Sequence, residues 1–170
     1  MEAEARAKSD DYIQLKKNEG ILRLGIRDEN GNDTGNYLEF NLEDIELPLI
    51  YQRIVEEDKK NRLNLKNQLQ IIDKKQDHKG KKLLSSNEEL KVKAMQDFYK
   101  KQVEIYNMFL GEKGVEKLLN GRRLSWSTLE EIDEIIDKAI MPKLQVNAED
   151  IKKRIIAKYS NKTRRDDVLE

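Results

Sequence analysis

The chain has 170 residues, enough for one core with appendages, and its 33 Lys and Arg balance its 33 Asp and Glu. With 39% charged and 37% hydrophobic residues it suits exposed amphipathic helices better than a thick two-layer α/β enzyme, and its neutrality argues against a general nucleic-acid binder. It has no cysteine, which excludes disulfides, thiolate metal sites and cysteine nucleophiles.

The opening MEAEARAKSDD has no apolar run like that of a secretory signal, and no stretch of the chain approaches a membrane span. A soluble cytoplasmic protein with no membrane partner is therefore expected. Residues 1–19 read as a flexible N-terminal arm, with only Tyr12, Ile13 and Leu15 to anchor it. A β-hairpin is predicted over 20–42. ILRLGIR (21–27) and YLEFNL (37–42) form two short strands around the turn-rich DENGNDTGN, with Leu38, Phe40 and Leu42 on one face. Asp28, Asn30, Asn32 and Glu39 fall at the first, third, fifth and twelfth places of a calcium loop. The sixth place, however, is Asp33 where glycine is needed, so this is read as a solvated turn and no metal is expected.

The helical domain is predicted over 43–159. Its first helix runs from about 44 to 74, capped by Asn41 or Asp44, with Pro48 near its start and a break near 58–62 where apolar residues thin out. A lysine-rich linker follows at 74–85 and contains His78, the only histidine, read as a solvated loop residue. Ser86 and Glu89 then form a capping box for the central helix. That helix sets Val92, Met95, Phe98, Tyr99, Gln102, Ile105, Tyr106 and Phe109 at three- and four-residue steps, an apolar stripe for burial.

Gly111 breaks this helix, and Asn120-Gly121 ends a short helix after it with a left-handed cap. Ser125 or Ser127 caps the next helix, which buries Leu129, Ile132, Ile136 and Ala139 and is stopped by Pro142. A last helix starts at Asn147 and carries Ile151, Ile155 and Tyr159, and residues 160–170 form a disordered tail. The fold class is thus mainly α with a small N-terminal β-hairpin (α+β), an amphipathic bundle of four to five helices.

Three groups of residues invite a chemical reading. Glu130, Glu131, Asp133, Glu134 and Asp137 could pair as catalytic carboxylates, but they surround the outside of an amphipathic helix and read as a solvated face. Residues 152–165 hold seven Lys or Arg and no acid, which could grip phosphates but also fits the polar side of a terminal helix. Trp126, the only tryptophan, is a core or rim anchor, or else a partner contact. No glycine-rich phosphate loop is present, so no catalytic residue, cofactor or enzymatic activity is expected.

FLGEKGVEKLLNGR (109–122) resembles a motif of the phage tail assembly chaperone family, small tail-morphogenesis proteins of phages of Gram-positive hosts. Leu110, Gly111, Glu112, Gly114, Glu116, Lys117, Leu118, Gly121 and Arg122 track the family pattern. Lys113, Leu119 and Asn120 depart from it, replacing a glycine, a phenylalanine and a glycine. The resemblance implies a non-enzymatic chaperone that holds the tape measure protein, a long helical chain, soluble until tail tube subunits displace it. It also implies the host cytoplasm as its location. The candidate partner-binding residues are Phe109, Leu110, Gly111, Glu112, Glu116, Lys117, Leu118, Gly121 and Trp126. The stretch holds more large apolar side chains than a small core requires, and the helix-break-helix at 92–121 with Trp126 is expected to form one wall of a groove for an amphipathic helix. The alternatives are a structural or scaffolding component of a tail or baseplate, and a small nucleic-acid-binding regulator acting through 152–165.

Overall fold

The computed structural model describes residues 20–145 together with 149, 153, 156 and 157. The arm at 1–19, the expected start and face of the last helix and the tail at 160–170 lie outside the described residues, and so does most of the basic segment. Within them, two strands, β1 (Ile21–Arg27) and β2 (Asp33–Asn41), precede four helices: α1 (Leu47–Asp73), α2 (Ser86–Leu110), α3 (Gly114–Leu119) and α4 (Trp126–Glu134). The architecture is α+β, as the periodicities indicate, with the helix number at the low end of expectation.

The strands pair antiparallel, with Leu22 opposite Phe40 and Leu24 opposite Leu38. This alternation buries Ile26, Leu38 and Phe40. β2 begins four residues earlier than the apolar run suggests, because the turn is tighter than its composition implies. The Asp28 carboxylate closes that turn by accepting the backbone N–H of Asn30 and Asn32 at 2.9 and 2.8 Å. A register irregularity opposite the Gly25–Arg27 step then absorbs the surplus residues.

α1 is continuous, with no break at 58–62. Its core face there is polar rather than absent, since Asn61 takes the place of an apolar residue between Ile54 and Leu65. Neither expected cap residue caps it. Asn41 and Asp44 accept the N–H of Glu43 and Glu46 in local turns, and the helix starts behind Glu46 with no side-chain cap.

α2 does have a capping box, but one residue earlier than expected. Ser85 accepts from Glu88 N at 3.3 Å, and Glu88 Oε2 accepts from Ser85 N at 2.7 Å. Ser86 is occupied elsewhere. Its hydroxyl donates to Asp77 and accepts from His78 N, which folds the linker back on the helix start. Asn87 completes the closure by donating to the Ile72 and Lys75 carbonyls at the end of α1. The apolar stripe is also shifted at its start, where Val92 is exposed and Ala94 buried, because in the pairing with α1 only the smaller side chain faces inward.

Gly111 ends α2 at φ 90°, and Asn120 and Gly121 end α3 at φ 47° and 84°. Ser125 caps α4 through a box with Thr128, while Leu124 and Leu129 flank it as a staple. Pro142 does not stop this helix. It widens into a π-helical turn over Ile135–Ile140, and 141–145 are again helical. In that turn Met141 N–H reaches back five residues to Ile136 O, the spacing of a π-helix. The wider turn also moves the buried position from Ala139, which is exposed, to Ile140.

The core is a single cluster holding Phe40, Ile105, Phe109, Val115, Leu129 and Ile140. α4 runs antiparallel to α1, from Arg62 at its start to Tyr51 further along. Beyond Arg62 and Phe98 the two long helices rest mainly on each other, and this part is called the arm.

Candidate functional site

α1, α2 and α4 meet at a layer of polar side chains. Gln102, fully buried, donates to Asp58 Oδ1 at 2.6 Å and accepts from Asn61 Nδ2 at 2.8 Å. Asn61 also donates to the Phe98 carbonyl at 3.1 Å. The Arg62 Nε donates to both oxygens of Asp58 at 2.9 and 3.0 Å, and its Nη2 donates to Asp133 at 2.9 Å. Tyr106 donates to the other oxygen of Asp133, and Tyr51 donates to Asp137 at 3.1 Å. No buried side-chain polar atom among the described residues lacks a partner.

Burial decides the protonation tendencies here. It pushes the Tyr106 hydroxyl far above its usual range, and the neighbouring Asp133 carboxylate adds to the effect. Burial also raises Asp133, against the opposing pull of the Tyr106 hydrogen bond and Arg62. For Arg62, burial disfavours the charge, but the hydrogen bond and charge of Asp58 outweigh it and hold the guanidinium ionised. These groups border a cavity of about 330 Å³ between α1 and α4. Because each acid is answered by a donor from another helix, the set holds α4 in register on the other two.

Trp126 sits at the head of this layer. Its ring stacks on Phe98 at 6.0 Å and 26°, Arg62 lies over it at 5.4 Å, and its Nε1 donates to Glu130 at 3.0 Å. It nevertheless remains 44% exposed, so it is fixed in place without being covered.

The other residues singled out in the sequence lie elsewhere. Phe109 and Leu110 are core, with Phe109 against Phe40 at 5.4 Å and Tyr51 at 5.6 Å. Gly111, Glu112 and Gly121 are exposed, and Leu118 is half-buried. Asn107 donates to Glu116 and accepts from Val115 N, which ties α3 to the end of α2. Lys117 lies over the Tyr37 ring of β2 at 5.8 Å. Residues 109–118 therefore wrap the hairpin, while Trp126 stands beside Phe98, eleven residues up α2 from Phe109 and about 16 Å away along the helix. The structure divides the expected wall in two.

Phe109 does reach the floor of an apolar cleft of about 200 Å³ whose walls include Leu42, Leu47, Tyr51, Met141 and Leu144. The sequence reading missed this cleft and the polar layer. The layer could have been traced only from Asp58, Asn61 and Gln102, polar residues at core-spaced positions. The five carboxylates are not uniformly a solvated face either, since Asp133 is half-buried against Tyr106 and Arg62, although Asp137, bonded to Tyr51, stays exposed.

Among the described residues there is no group of three or more His, Cys, Asp or Glu placed to hold a metal ion. No described helix is long and apolar enough to cross a membrane. No protein-family model, curated protein or solved structure matches this chain.

Proposed function

We propose that the protein is a non-enzymatic tail assembly chaperone that binds a helical segment of the tape measure protein and keeps it soluble before the tail tube polymerises. The observation that carries this reading is Trp126, a large aromatic held rigid by Phe98 and Arg62 yet 44% exposed. A pre-organised, half-exposed tryptophan beside an arginine is the composition of a binding hot spot, since little side-chain freedom is left to lose on binding. The apolar cleft at Met141 and Leu144, beyond the end of α4, gives a second anchoring point for the same helix, and of the motif residues Phe109 alone lines it. Release then comes from competition by tail tube subunits.

The test is co-expression with the tape measure protein. The unmodified chain should recover a soluble complex. Trp126→Ala should still fold, with a lowered melting temperature because the ring covers part of Phe98, and lose the complex. Trp126→Phe should keep the stacking and hold the complex more weakly. If the unmodified chain solubilises no tape measure fragment, the reading fails. If Trp126→Ala still holds one, the site lies elsewhere.

A further inference from the structure

Among the described residues, α1 presents a second face with exposed apolar side chains. Leu49, Leu63 and Ile71 are 63%, 57% and 59% exposed. At 100° per residue they fall within about 80° of one another, nearly opposite the core-facing Ile54, Leu65 and Ile72. Glu56 and Lys60 lie on the same stripe. With Asn67 they make a mixed face, three apolar side chains among polar ones, of the kind found where charge as well as apolar contact selects the partner.

The charge distribution identifies the partner. Residues 59–101, the arm and its tip, hold thirteen Lys or Arg against five Asp or Glu; the other residues of 20–145 hold nine against eighteen. Each pole carries an exposed apolar side chain inside its charge. Ahead of α1, Ile45 is 86% exposed between Glu43, Asp44 and Glu46. Behind it, Leu83 is 92% exposed next to Lys81 and Lys82. The tip is shaped by the Asp77, Ser86 and Asn87 hydrogen bonds, so its lysines are displayed from a fixed loop.

We infer that a second copy of this chain docks antiparallel along the outer face of α1, forming a two-fold dimer. The 27-residue helix separates the two poles by about 40 Å. Antiparallel pairing about its middle therefore sets each basic tip on the acidic corner of the other copy and Leu49 level with Ile71, while Lys60, paired with Glu57 of its own chain, lies at the axis. Such an arrangement is isologous and closes on itself, so it yields dimers and not filaments. A polyanion would match the tip but would leave the acidic corner and the apolar stripe unanswered, whereas a second copy answers all three. The inference does not use Trp126, the anchor of the tape measure reading, but its acidic corner adjoins the cleft at Leu42, Asp44 and Leu47.

Sedimentation equilibrium of the full chain at tens of micromolar tests it. The expected mass is twice that of one chain at low salt, shifting toward one chain at high salt, where the charges are screened. A tip reversal (Lys75→Glu, Lys79→Glu, Lys81→Glu) and a corner reversal (Glu43→Lys, Glu46→Lys) should each weaken self-association on the order of a hundredfold. Mixed together they should recover the dimer, because each reversed tip then meets a reversed corner. Leu63→Glu should be a monomer that melts like the unmodified chain at high salt, where that chain too is monomeric. A monomeric unmodified chain at low salt overturns the inference, whether or not it binds heparin. So does a dimer indifferent to the reversals, or two reversals that fail to rescue one another.

Discussion

Below Arg62 and Phe98, α1 and α2 share their core with the hairpin, α3 and α4, whereas above them the same two helices rest mainly on each other. The two regions have the same apolar spacing, yet one is a layered core and the other a two-helix arm. What separates them is the polar layer of Asp58, Asn61, Arg62 and Gln102, which ends the shared core and attaches α4 at that level. A polar layer is weaker than an apolar one but more exacting, because a shifted register would strand its members without partners.

The largest expected effect comes from deleting core volume on each side of that layer. Phe109→Ala, which empties the contact with Phe40 and Tyr51, should cost about 3–5 kcal/mol. Ile72→Ala, buried in the arm, should cost about 2 kcal/mol, because an arm can close over a gap more easily. Urea denaturation measures both, and equal losses would erase the distinction between the regions.

At the base, Gly114→Ala should follow at about 1–3 kcal/mol, since a Cβ there would collide with the Cβ of Leu110. A variant as stable as the parent would mean that α3 can move away from the end of α2. At the arm, Ser85→Ala should cost about 1 kcal/mol through loss of the α2 cap. Ser86→Ala should leave the α2 cap intact and loosen only the linker. Amide exchange in the first turn of α2 separates the two, and faster exchange in the Ser86 variant would restore the frame first read from the sequence.

That frame shift shows where legibility ends. Ser85/Glu88 and Ser86/Glu89 are equivalent as sequence, and only the pull of Asp77 and His78 on Ser86 decides between them. The hairpin, the α2 stripe and the glycine stops were legible because each follows from local period or from backbone geometry that only glycine or asparagine adopts readily. The continuity of α1 was not, because Asn61 finds its partner Gln102 forty-one residues away. Nor was the run through Pro142, which follows a widened turn that no spacing announces. Of the candidate site, Trp126 was visible as a residue, but its stacking on Phe98 and Arg62 depends on three helices meeting.

A smaller effect should come from pH. Burial raises Asp133 above its usual carboxylate range, so its folded form favours the proton. Its contribution is therefore complete below the ordinary aspartate pKa and is lost as pH rises through the raised value. Asp133→Asn removes this titration. The melting temperature of the parent should thus gain on that of the variant as pH falls from neutrality toward 4. A difference that shrinks on acidification would mean that the Arg62 and Tyr106 contacts dominate and that the carboxylate is held ionised.

The sole tryptophan makes the central claim directly measurable, because the emission of Trp126 reports on the proposed anchor and on nothing else in the chain. Titration with helical fragments of the tape measure protein should give a saturable blue shift for one of them as the ring leaves water. Binding of such a fragment, seen by calorimetry, with no change in Trp126 emission would contradict the account, as would the absence of binding by every fragment.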